Sequence, residues 1–112
     1  VIFFAFKRIG FYRSYQFFKK KNEYGYVLTK NGLYEHREKV RYLVGRKLFA
    51  YEEVHHINGK TWDNRRHNLA LMTKQNHEEW HARLDWMHSN KMYPSVGWQR
   101  RKLVEEFSAD IF

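Results

Sequence analysis

Val54-His55-His56-Ile57 and Leu69-Ala70-Leu71-Met72 are two short apolar runs, flanking a polar segment rich in Asn, Gly, Asp and Arg. Runs of this length, bounded by turn-forming residues, read as strand, ordered loop, strand. Thr73 follows as an N-cap for a helix from Lys74 to Leu84 or His88, because nothing in the intervening sequence interrupts one. On that helix His77 and His81 stand four residues apart, so both imidazoles leave one face and can converge on a single ion. His55 and His56 are consecutive on a strand and point to opposite sides, so they cannot easily share an ion. If one of them closes a metal site with His77 and His81, the other is free to act as a general base on water. Taken singly, a helical histidine pair is an ordinary surface feature, and two adjacent histidines are ordinary half-buried strand residues. Within 27 residues of a strongly basic chain, the combination favours function.

Upstream, Tyr24-Gly25-Tyr26-Val27-Leu28 is β-prone, Lys30-Asn31-Gly32 carries a hairpin signal, and Leu33-Tyr34 begins a return strand. Glu35 to Val44 reads as a helix with Val40, Leu43 and Val44 on one side and Gly45 at its C-terminal cap. In residues 1–23, Phe4, Phe11, Tyr15 and Phe18 recur at roughly helical intervals, with strand pairing as the alternative. Downstream, Pro94 and Gly97 mark a break, and Gln99 to Phe112 reads as a further helix with Leu103, Val104, Phe107 and Ile111 facing inward or toward a partner. The expected organisation is an aromatic and basic segment over 1–23, a main domain over 24–90 with its core motif in 53–84, and a helical extension over 91–112.

A chain of 112 residues suits one small domain. Its 21 Lys and Arg against 12 Asp and Glu give a formal charge of +9, which favours a polyanion through counterion release. Nucleic acid leads as partner, ahead of an acidic membrane surface. The chain has no cysteine, which excludes disulfides, thiolate catalysis and Cys-rich zinc knuckles, so a metal must rest on His, Asp, Asn or Glu. Lys7 and Arg8 end the apolar opening Val1-Ile2-Phe3-Phe4-Ala5-Phe6 well short of a signal-peptide core or a membrane span. The reading is an intracellular, cytoplasmic protein with no membrane partner, and a start at Val rather than Met reads as a trimmed chain.

Val54-His55-His56-Ile57-Asn58-Gly59-Lys60, then Asp63-Asn64-Arg65, then His67-Asn68-Leu69 with Leu71-Met72-Thr73, then His77 and His81, resemble the His-Asn-His (HNH) endonucleases. The likeness is specific because several spacings agree at once, and it is strongest from His36 to Leu84. The hairpin leading into Tyr34-Glu35-His36-Arg37 also resembles what precedes the motif in phage-borne and homing members. The resemblance implies an α+β single domain with a ββα-metal (His-Me finger) core, preceded by a β-hairpin and helix and followed by a C-terminal helix.

Carried over position by position, the resemblance implies that His55 is a metal ligand and His56 the general base. Asn68 would be the middle Asn, bridging the loop and holding His56. His77 takes the second ligand position and His81 matches the third ligand of all-His members. It implies one divalent cation, Mg²⁺ or Mn²⁺ ahead of Zn²⁺ or Ni²⁺, and double-stranded DNA as the substrate whose phosphodiester bonds are hydrolysed. Such hydrolysis needs a deprotonated water, neutralised charge on phosphorus and help for the departing oxygen. On this resemblance His56 serves the first need, and one divalent ion held by His55 and His77 serves the other two. Arg65, Arg66, Lys60 and Lys74 surround the centre and read as phosphate clamps, the alternative being a solvated basic loop. Lys19-Lys20-Lys21 and Arg100-Arg101 could extend that footprint.

His36 reads as a packing or phosphate-contact residue, and His67 and His88 as surface histidines. Trp80 should pack the metal helix on the strands, and Trp62, Trp86 and Trp98 read as packing residues before base-stacking ones. The competing class is a catalytically silent nucleic-acid- or protein-binding module of the same fold, and a third reading is a structural zinc site. A homodimer or protein partner would engage the C-terminal segment.

Overall fold

A computed structural model of the chain describes residues 20–112, so the expectations placed on Phe4, Phe11, Tyr15, Phe18 and Lys19 lie outside the described residues. The first helix, α1, spans Glu35–Val44. Strands β1 (Glu52–His56) and β2 (Leu69–Thr73) follow, joined by a loop that ends in a short 3₁₀ turn over Arg66–Asn68. Helix α2 covers Lys74–Ser89, α3 covers Val96–Phe107, and a short strand β3 spans Asp110–Ile111.

Both anticipated helix boundaries have local causes. Gly45 adopts φ 75°, a left-handed conformation that costs glycine nothing, and its N–H donates to the Arg41 carbonyl to close α1. Thr73 Oγ1 accepts from the Asn76 N–H at 3.1 Å and starts α2 directly from the end of β2.

The expected hairpin is present in reduced form. Leu28 pairs with Tyr34 in a single antiparallel bridge, closed by Gly32 at φ 79°, and Lys21 bridges Val27. The tail differs more. Its helix begins three residues earlier than expected, at Val96, because Ser95 Oγ accepts from the Trp98 N–H. It stops at Ser108, which lies at φ 52°, with the Ala109 N–H bonded to Leu103 O. Asp110 and Ile111 are therefore strand, where the sequence reading had them helical.

The sheet is antiparallel in the order β1-β2-β3, with His55 opposite Ala70, His56 opposite Leu69, and Ala70 also opposite Ile111. Both faces are covered. On one face Ile57, Ala70 and Met72 pack with Trp80 of α2 and Leu103 of α3. On the other, Val54, Leu69 and Leu71 pack with Val40 of α1. This explains why Leu69 to Met72 is uniformly apolar rather than alternating: each side chain meets a core, whichever way it points. The protein is thus α+β, with β1, β2 and α2 forming a ββα unit. No helix among the described residues is long and apolar enough to cross a membrane.

Candidate metal and catalytic centre

Two-residue periodicity on β1 divides the site. Glu53, His55 and Ile57 face α2, whereas Val54 and His56 face α1. The consecutive histidines therefore do part to opposite sides, as their adjacency on a strand requires.

On the α2 side, His77 Nε2 lies 3.1 Å from His55 Nδ1 and 3.0 Å from His81 Nε2. One ligand atom from each of the three lies within 4.8 Å of the others. Two nitrogens bound to one ion at about 2.0–2.1 Å stand roughly 3.0–3.4 Å apart, so the set fits a divalent cation. Its protonation also fits. Burial pushes His55 down to about 3, with His77 and His81 adding to the shift, and burial lowers His81 as well, so both favour the neutral, ligating form.

Glu53, which the sequence reading did not single out, completes this side. It takes the Nδ1–H of His77 at 2.7 Å, which leaves the His77 Nε2 lone pair aimed at the other two rings. The signal was available, since Glu53 is two residues before His55 and so shares its face of the strand.

On the α1 side His56 is buried, 5 % exposed, with the His36 ring 5.0 Å away and the Tyr26 ring 6.0 Å away. Burial lowers its pKa and outweighs the Asn64 hydrogen bond that raises it, so the ring is neutral at physiological pH. His36 packs, as one of its two expected roles required, and burial pushes it down to about 3.

Asn68 does bridge the loop between the strands. Its Oδ1 accepts from the Asn58 N–H, and its Nδ2 donates to Asn58 Oδ1 and to the Asp63 carbonyl. It does not hold His56 as expected, because its amide is committed to the loop. Asn64 meets His56 instead, with Asn64 Oδ1 at 2.7 Å from His56 Nε2.

The four basic residues separate likewise. Lys60, Arg66 and Lys74 are exposed, and Arg66 Nε makes only a 3.5 Å approach to the Phe112 carbonyl. Arg65 is also exposed, but its guanidinium forms a bidentate pair with Asp63 at 2.8 and 2.7 Å, which holds the Asp63 carboxyl down at about 2. That pair braces the loop. Trp80 is fully buried in the core on α2, as anticipated, while Trp62 and Trp86 are exposed and His67 and His88 lie at the surface.

A sheet strand, an Asn-braced loop, a second strand and a helix together gather three imidazole nitrogens that could hold a metal ion in a ββα unit. Residues 33–79 match the model of the HNH endonuclease family. Its members are generally nucleases that act on DNA with a divalent metal. No curated protein and no solved structure matches the chain.

Proposed function

We propose that this protein is a metal-dependent endonuclease that hydrolyses phosphodiester bonds in double-stranded DNA. The observation that carries this reading is the His55, His77 and His81 cluster set beside a buried neutral imidazole, His56, one residue along the same strand. His55, His77 and His81 would hold the ion. When bound, a divalent ion neutralises charge on the scissile phosphate and assists departure of the 3′ oxygen. His56 takes the proton of the attacking water, a role for which a neutral imidazole is suited at cellular pH. Asn68 keeps the loop closed over the strand ends, and Lys60, Arg66 and Lys74 bind the flanking phosphates. The net charge of +9 supplies the long-range attraction to DNA.

The test is incubation with supercoiled plasmid and Mg²⁺, Mn²⁺ or Zn²⁺, alongside His56→Ala. Nicking or linearisation that EDTA stops and His56→Ala abolishes is the expected result. Cutting that survives the substitution removes His56 as base. No cutting with any of these ions makes the protein a silent member of the fold that binds without cleaving.

A further inference from the structure

Asn64 lies in the polar loop, 6 % exposed, and all of its described hydrogen bonds run to two elements. Its Nδ2 donates to Glu35 Oε1 at 2.8 Å, and its backbone carbonyl accepts from Lys39 Nζ at 2.7 Å. Glu35 and Lys39 are four residues apart on α1, so one face of that helix grips Asn64 at two points. The third contact is Oδ1 to His56 Nε2, at 2.7 Å.

This geometry fixes protons as well as positions. A carboxylate only accepts, so Glu35 requires the NH₂ end of the Asn64 amide and turns its oxygen toward His56. A carbonyl oxygen also only accepts, so His56 Nε2 must carry the hydrogen. A neutral imidazole has one N–H, and its Nδ1 is then the nitrogen with the lone pair. Among the described residues no other side chain hydrogen-bonds to the His56 ring.

We propose that Asn64, locked by Glu35, is the positioning residue for the general base: it selects the Nε2–H tautomer of His56 and aims Nδ1 at the water. The inference rests on the nuclease reading for its catalytic consequence, but not for the tautomer. Glu35 therefore links the start of α1 to the site. The proton transferred to Nδ1 in the reaction gives an imidazolium whose Nε2–H remains bonded to Asn64, so the hydrogen bond persists through the step.

The experiment has two readouts on the full chain. Long-range ¹H–¹⁵N NMR of the ¹⁵N-labelled protein at pH 8 reads the tautomer of His56 without any need for activity. Plasmid cleavage reads kcat and KM separately. Wild type should show protonated Nε2 and unprotonated Nδ1. Asn64→Ala should mix the tautomers and lower kcat by about tenfold or more with KM nearly unchanged. The double variant Asn64→Asp/Glu35→Gln exchanges acceptor and donor between the partners, so the introduced carboxylate accepts from both His56 and the introduced amide. It should restore the single tautomer and bring kcat to within about threefold of wild type.

A wild-type protein with Nδ1–H, an Asn64→Ala protein with unchanged kcat, or a double variant no better than Asn64→Ala in a folded, metal-binding state each overturns the proposal. Should Asn64→Ala fail to fold, the wild-type tautomer and the double variant still decide it. If wild type does not cut DNA, the nuclease reading falls alone, and the tautomers of the three proteins still show whether Asn64 sets the ring.

Discussion

His77 donates its Nδ1–H to Glu53 Oε1 across 2.7 Å, a bond between the first turn of α2 and the second residue of β1. Its effect lies on the opposite edge of the ring. With the proton held at Nδ1, Nε2 presents a lone pair to the place where His55 Nδ1 and His81 Nε2 also point. A carboxylate behind an imidazole fixes the orientation of the ring. Glu53→Gln should therefore weaken metal binding by about tenfold in calorimetry, and His81→Ala should weaken it too. An unchanged affinity in either would remove that residue from the metal centre.

The buried His36 makes stability depend on pH. Its folded pKa, near 3, lies below the ordinary 6.5, so between those values the unfolded chain binds a proton that the folded one refuses. The unfolded state then holds more protons, and stability rises with pH across that window. This stability is fully present above pH 6.5 and is lost as pH falls toward 3. Replacing the ring by one that does not titrate, His36→Phe, should flatten the metal-free denaturation midpoint between pH 6.5 and 4 relative to wild type. A parallel pair of curves would show that His36 does not contribute.

Lys74 and Arg66 are exposed, whereas Arg65 is engaged by Asp63. In EDTA, where cutting is blocked, Lys74→Ala and Arg66→Ala should each reduce the salt slope of DNA binding by about 1. Arg65→Ala should change that slope less and lower the melting temperature more, because it releases the Asp63 carboxylate that Asn58 also uses. Equal slopes for all three variants would return Arg65 to the phosphate contacts.

Trp80 joins α2 to the sheet core and is fully buried, with its ring 5.6 Å from Phe107 and 6.3 Å from Trp98. Trp80→Ala should cost about 3–5 kcal/mol in denaturant titrations. Its indole N–H has no partner among the described residues. Trp80→Phe, which keeps a ring and removes that buried donor, should cost clearly less.

Much of the ββα unit was legible because its causes are local. Glu35–Val44 with Gly45 at its end, Thr73 capping α2, and the i, i+4 spacing of His77 and His81 all depend on residues within a turn or two of one another. The small differences also have local causes, since Ser95 and Ser108 set the bounds of α3. The strand at Asp110–Ile111 was not legible, because two residues become a strand only when an edge such as that of β2 stands ready to pair with them.

The sequence by itself determined which histidines could act together: strand alternation sends His55 and His56 apart, and helical periodicity brings His77 and His81 together, whatever surrounds them. Tertiary structure alone decided what stands behind each ring. Glu53 reaches His77 across 24 positions, and Glu35 reaches Asn64 across 29. The choice of Asn64 over Asn68 as the partner of His56 depends on which amide the folded loop leaves uncommitted. Hydrogen bonds of that kind have no period in the chain, because they are set by how α1, the loop and the sheet pack together.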